Sequence, residues 1–349
     1  MKKEQKKKSL IRTILIDGIL FFGLITLTFW IIFKDQDLGK VISIACEANW
    51  IFLIIAILLM ILYFVVEAWN ITALLRALGE KVSFKKIFRM TMVGFFFCSV
   101  TPGASGGQPL EIYYMSREGI SAANATLAIM VQTCGIQSAV TGFGLICALF
   151  GNNYLSGPVS FLFAIGLIIN LTALLILLAC IFFTGGLRTV MRRFFGFLWQ
   201  IGIKKADSWQ KAVDKGLDKY AEGSRYIRTH KGEFKGALIK TAVQMSIFYL
   251  IPYMIYLSFG LTEYNVLNFF AMQSILFVST SGLPLPGAIG ASESVFLSLY
   301  GAAFGETMLG SAMLLTRGIN FYLFVFVSMA FVFYTLFMVK KVRRKKVNS

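Results

Sequence analysis

Apolar and charged positions alternate along this chain in long blocks. Greasy runs at about 11–33, 50–74, 123–150, 158–183, 237–260 and 308–339 are separated by short, mostly basic punctuation. A spanning helix takes roughly 20 apolar residues, so each run predicts one membrane-crossing helix, that over 237–260 kinked at Pro252. Two further apolar segments, 87–116 and 265–304, are interrupted midway, and the arms of 87–116 are each too short to cross.

The interruptions resemble each other. The first reads Thr101-Pro102-Gly103-Ala104-Ser105-Gly106-Gly107-Gln108-Pro109, the second Ser281-Gly282-Leu283-Pro284-Leu285-Pro286-Gly287-Ala288-Ile289-Gly290. Both contain P-G-A-x-G, and Pro102 and Pro286 lie 184 positions apart. Proline lacks the amide donor and glycine favours other backbone angles, so no helix runs through either stretch. Non-helical backbone at membrane depth is tolerated only where protein or a wet cavity surrounds it. Matched breaks in two halves of a membrane chain point to a transport site.

Charge then decides the topology. The tail before residue 10, the stretch 184–236 with twelve Lys or Arg, and the tail after residue 339 are all basic, and short basic segments stay on the inner side. A single crossing by 87–116 would leave 184–236 outside, so 87–116 dips in from the inner face and returns. The same parity makes 265–304 dip in from the outer face. Shifted by 184 positions, span two, the first hairpin and the 123–150 span fall on the three C-terminal elements in order. The fold expected is an all-α polytopic membrane protein: six full transmembrane helices plus two re-entrant broken hairpins, related as an inverted repeat. Its parts are a basic cytoplasmic tail at 1–10 and an N-terminal membrane half at 11–183. A basic cytoplasmic linker at 184–236, a C-terminal half at 237–339 and a basic tail at 340–349 complete it. Within the linker, Trp209, Val213, Leu217 and Tyr220 form one helical stripe, read either as an amphipathic helix on the inner membrane surface or as part of a solvated linker.

Composition agrees: 57% of the 349 residues are hydrophobic. The net charge of +17 sits in tails and inner loops, where it meets anionic phospholipid, and is not read as a nucleic-acid footprint. Cys46, Cys98, Cys134, Cys147 and Cys180 are scattered without C-x-x-C pairing, and His230 lies in a charged stretch, so no metal site, disulfide framework or cofactor is expected. Nucleotide, zinc-protease and serine-hydrolase motifs are missing, and no catalytic residue is assigned.

Ionisable residues inside a bilayer cost about 2.5–3.5 kcal/mol each and call for a reason. Arg317 falls about nine residues into the last span, near the midplane at 1.5 Å per residue. Its planar fork suits a phosphate, and an ion pair with Glu293 is the alternative reading. Glu293 and Glu111 each follow a break early in a helix arm, where they cap the helix or answer a cationic headgroup or a proton. Gln108, inside the first break, both donates and accepts. With Pro102, Gly103, Gly106, Gly107, Pro286, Gly287 and Gly290 of the breaks, these are the candidate substrate-binding residues. Glu67 and Asn70, near the inner end of span two, rank second. Gln132, Gln137, Asn170, Gln244, Gln273 and Asn320 read as helix–helix glue.

The T-P-G-A-x-G-G-Q-P-x-E string at 101–111 and the L-P-x-P-G-A-I-G-x-x-E string at 283–293 resemble the flippase-like family. This family is also called the lysylphosphatidylglycerol synthase transmembrane region, the membrane part of the bacterial multiple peptide resistance factor. The resemblance covers roughly 10–340. It implies movement of a phospholipid, aminoacylated phosphatidylglycerol in the fused members, between leaflets of the bacterial cytoplasmic membrane, with both termini cytoplasmic. In the fused members a separate C-terminal domain makes the lipid; this chain ends nine residues after Lys340, so transferase activity is not expected. Two other readings stay open: a membrane subunit of a lipid aminoacyltransferase or glycosyltransferase with a separately encoded enzyme partner, and a small-solute or ion transporter. A homo-oligomer is compatible with all three.

Overall fold

A computed structural model describes residues 38–150, 154, 155, 157–200 and 206–345. The expected tail at 1–10 and first span at 11–33 lie outside them. The described residues contain no strand. Twelve helices follow in order: α1 (Leu38–Glu47), α2 (Trp50–Ala77), α3 (Phe84–Val100), α4 (Gly107–Arg117), α5 (Ala122–Phe150), α6 (Gly157–Phe182), α7 (Thr184–Gln200), α8 (Ala206–Thr229), α9 (Lys231–Ser258), α10 (Val266–Thr280), α11 (Ala291–Arg317) and α12 (Leu323–Lys345). Short 3-10 turns at Pro102–Ala104 and Pro286–Ala288 separate α3 from α4 and α10 from α11, and a π-turn at Gly318–Tyr322 joins α11 to α12.

Five apolar stretches among the described residues are long enough to cross a membrane: Trp50–Ala77, Ala122–Leu149, Gly157–Phe182, Lys231–Ser258 and Pro286–Thr335. Their outer faces are apolar as well: Leu58, Phe161, Leu175, Phe326 and Phe333 are exposed. An apolar exterior of this extent needs lipid as its solvent, so the chain is a polytopic membrane protein. Side-chain caps set two of the helix starts. Asn49 accepts from Ile51 N at 3.0 Å, and Asn265 and Asn268 form a capping box on α10.

The packing is reciprocal. α2 and α9 lie against each other, α3 packs on α12, and α10 packs on α5. By the 184-residue offset α2 corresponds to α9, α3 to α10, and α5 to the chain after Gly305. Gly305 (φ 66°, ψ 164°) divides α11 into two arms in a conformation that only glycine adopts readily. Residue 304 is where the sequence ends the second broken segment, and the backbone turns at the next position. One large apolar cluster lies around Tyr249, Tyr256, Phe269, Phe296 and Tyr300; a second joins α2, α3, α4, α5 and α8.

Small residues allow the broken helices to close on their neighbours. A Cβ on Gly107 would lie 2.0 Å from Cys98 Sγ, and one on Gly166 would lie 1.9 Å from the Val278 carbonyl oxygen. Backbones approaching this closely gain dispersion contact that larger side chains would block.

Within the stretch 184–236, α7 and α8 are helical, and Tyr220, at the end of the stripe found in the sequence, faces protein. Tyr220 is buried beside α5 and α6; its hydroxyl donates to the Cys180 carbonyl at 3.1 Å, while Ser224 donates to Ile181 O. Burial pushes the Tyr220 phenol up, which keeps it in the donor form that this bond requires. Lys219 pairs with Glu80 at 3.5 Å. α8 is therefore clamped beneath the bundle. Tyr220→Phe is expected to lower thermal stability in detergent by about 1 kcal/mol, the worth of one net hydrogen bond; an unchanged melting curve would mean that α8 docks by apolar contact alone.

Candidate functional site

Two kinds of glycine-proline turn meet at the centre of the bundle. α3 stops at Thr101, whose backbone is extended (φ −105°, ψ 142°), and its hydroxyl donates to Phe97 O at 2.6 Å and accepts from Gly106 N at 2.9 Å. Gly103 and Ala104 then turn left-handed, at φ 59° and 55°. In the second break Leu285 is extended (φ −107°, ψ 138°), and Gly287 and Ala288 turn left-handed at φ 57° and 52°. The two backbones thus share one turn through Ala104 and Ala288 and then diverge, Ser105 being helical (ψ −22°) where Ile289 is extended (ψ 138°). They also touch: a Cβ on Gly103 would lie 3.9 Å from Pro284 Cα, and the two turns pack on each other.

Beside them stands Arg317, at the last position of α11. Its Nε donates to Glu293 Oε1 at 2.8 Å and its Nη2 to the Gly287 carbonyl at 3.1 Å. The guanidinium lies 4.4 Å from the Phe321 ring centroid, a cation–π contact that replaces some of the lost hydration. Glu293 is 1% exposed and receives further bonds from Tyr322 OH (3.1 Å), Gly290 N (2.7 Å) and Ser292 Oγ (3.0 Å). Of the two readings of Arg317 drawn from sequence, the ion pair is the one present here. The π-turn after Arg317 widens the helix by one residue and brings Tyr322 back to Glu293; such turns frequently mark functional positions.

A cavity of about 280 Å³ opens between the two breaks, lined by Tyr63, Cys98, Gly103, Gly287 and Arg317 among others. Thr316 and Asn320 also line it; their side-chain oxygens Oγ1 and Oδ1 are buried and have no hydrogen-bond partner among the described residues. Sequence reading placed Asn320 with the helix glue and did not single out Thr316. Nothing in a helical run distinguishes a hydroxyl or amide turned to a cavity from one turned to a neighbouring helix.

The remaining expected residues separate into distinct settings. Gly287 lines the cavity with Gly103, while Pro286 is buried under it and Gly290 caps α11 through Glu293. Pro102 sits in the first turn, Gly106 packs against the Thr101 side chain and Gly107 against Cys98. Gln108 points away, donating to Thr133 Oγ1 on α5 at 2.8 Å. Glu111, Glu67 and Asn70 do not line the cavity. Glu111 is buried over Gly94 of α3, where a Cβ would lie 2.7 Å from Oε2. Glu67 accepts from Gln244 Nε2 at 3.1 Å, Gln244 Oε1 accepts from Gln132 at 2.8 Å, and Gln132 Oε1 accepts from Asn70 at 2.6 Å. No group of three His, Cys, Asp or Glu able to hold a metal occurs among the described residues.

Comparison with known proteins gives the arrangement a context. The family model described as the lysylphosphatidylglycerol synthase TM region matches residues 14–328. A UPF0104 membrane protein of Archaeoglobus fulgidus is 26% identical over 322 residues, covering 90% of this chain and 96% of that protein. A second UPF0104 membrane protein, from Methanocaldococcus jannaschii, is 31% identical over 81 residues, 23% of this chain and 24% of its own length.

Proposed function

The chain belongs to the lysylphosphatidylglycerol synthase transmembrane-region family, and on that footing we propose that it is a lipid translocase of the cytoplasmic membrane. In this reading six spans and two re-entrant hairpins form an inverted repeat, with 184–236 and both termini cytoplasmic. The matching left-handed turns at Gly103-Ala104 and Gly287-Ala288 and the reciprocal packing of α3 on α12 and α10 on α5 support it. The cargo is an anionic phospholipid whose headgroup enters the cavity while its acyl chains stay in lipid.

The observation that carries this function is the meeting of two helix breaks around a cavity whose cation is Arg317. Backbone that leaves its helix at this depth exposes carbonyl and amide groups, which makes a polar refuge in an apolar medium. Arg317 spends Nε on Glu293 and Nη2 on Gly287 O, which leaves Nη1 for a phosphate oxygen. Thr316 and Asn320 supply a donor and an acceptor for headgroup hydroxyls or amines. Exchange of Glu293 for the phosphate as partner of Arg317 would couple cargo binding to the second break, since Glu293 also holds Gly290 N.

The test is a leaflet assay with a fluorescent anionic phospholipid in proteoliposomes. Arg317→Ala is expected to slow transfer by about tenfold or more, since a charged hydrogen bond is worth about 1.5–3 kcal/mol. Transfer at the wild-type rate in this variant would remove the cavity from the mechanism.

A further inference from the structure

Among the described residues, two carboxyl groups in the bundle, one buried and one half-buried, pair with no cation. Glu111 of α4 is 5% exposed, with its Oε1 buried and unbonded among the described residues, although the Thr91 side chain is turned toward it. Glu67 of α2 lies within electrostatic reach of it and is held by the amide file Gln244–Gln132–Asn70. We propose that Glu67 and Glu111 are a proton-binding pair, separate from the headgroup cavity, and that a proton taken up there drives lipid movement. The coupling rests on the translocase reading; the proton site itself does not.

The surroundings favour a proton over other partners. Facing the pair are Tyr63 on α2 and Cys98 on α3, both acidic-type groups that are neutral when protonated, and the uncharged Gln132 on α5 and Gln244 on α9. Three cations on these helices are engaged elsewhere. Arg89 on α3 pairs with Glu118 and lies over Tyr334 of α12, Lys86 reaches Glu118, and Lys240 on α9 lies over Trp69. Among the described residues no Lys or Arg forms an ion pair with Glu67 or Glu111. A phosphate would be repelled by two carboxylates, and neither residue lines the cavity. Two nearby carboxylates without a cation repel each other, and uptake of a proton relieves that repulsion.

Position gives this proton a purpose. Tyr63 and Cys98, which lie within electrostatic reach of the pair, themselves line the headgroup cavity. On the far side, the amide file ends where Asn70 donates to Ala237 O at 3.2 Å, six residues into α9 from its charged start. Glu111 also rides on α4, the returning arm of the first break, against Gly94 of α3. Adding a proton neutralises the buried carboxyl that α4 holds against α3; losing it restores a charge there, which pushes on the break that forms one wall of the cavity.

Infrared difference spectra of the full-length protein in lipid nanodiscs between about pH 5 and about pH 9 read the carboxylic-acid carbonyl band directly. The wild type is expected to show a titrating band that is lost or shifted in both Glu67→Gln and Glu111→Gln, two neutral replacements of matching shape. In proteoliposomes, an imposed pH gradient is expected to speed lipid transfer, up to about tenfold per unit for one coupled proton, and Glu111→Gln is expected to lose that response. A wild-type spectrum with no such band, or a band unchanged in both variants, overturns the proton site. So does a carboxylate band that moves with sodium at constant pH, which would make the ligand a metal cation. A titrating band with no lipid transfer by wild type at any gradient leaves the proton pair standing and removes the translocase.

Discussion

Arg317→Met is expected to lower stability by about 3–5 kcal/mol, the usual result of stripping one partner from a buried ion pair. The residue left behind is Glu293, which is 1% exposed and then has no cation. Glu293→Gln should also be costly, for a reason visible in its bonds. Arg317 Nε and Tyr322 OH donate to one oxygen, and Gly290 N and Ser292 Oγ to the other. A carboxylate is acceptor-only and satisfies all four; an amide turns its NH₂ toward two of these donors. The double variant Arg317→Met/Glu293→Gln removes both charges and is expected to recover part of the loss, so the two changes are non-additive. Thermal unfolding in detergent of the three variants and wild type completes the cycle. Simple additivity would mean that the pair does not hold the second break to α11.

A single added methyl at Gly166 is expected to be nearly as damaging. Its ideal Cβ falls 1.9 Å from Val278 O and 2.8 Å from Val278 C, both backbone atoms of α10 that cannot rotate away. Accommodating it requires α6 and α10 to separate, with loss of dispersion contact along both helices; overpacking of this kind costs about 1–3 kcal/mol or more. Gly142, a helical glycine with nothing within 4 Å of its ideal Cβ, is the matched control. Gly142→Ala should be neutral or slightly stabilising, because alanine favours helix by about 1 kcal/mol over glycine. Comparable losses in melting temperature at both positions would refute a role for the close approach of α6 and α10.

What the sequence revealed and what it hid follow from the range of each interaction. The breaks at 101–109 and 281–290 were visible because proline and glycine act on their own backbone, and the extended-then-left-handed path at each follows from those residues. Arg317 stood out because a cation in an apolar run is costly wherever its partner lies. Its choice of Glu293 required two segments 24 residues apart to fold together, so sequence left two readings. That Glu67 lies within electrostatic reach of Glu111 was hidden altogether, since the two are 44 residues apart in sequence and only folding brings them near. α7 was also missed: Thr184–Gln200 lies in a basic stretch whose apolar residues carry no membrane signal. The stripe ending at Tyr220 was found, but periodicity alone does not say whether an apolar face meets lipid or protein.

The crossed contacts between halves have a mechanical meaning. α3 and α10, the helices that lead into the two breaks, each rest on a long helix remote in sequence, α3 on α12 and α10 on α5. A tilt of α3 or α10 therefore displaces a helix from the other end of the chain. Two doors hung on each other's frames cannot swing independently, so movement at one break is felt in both halves of the chain.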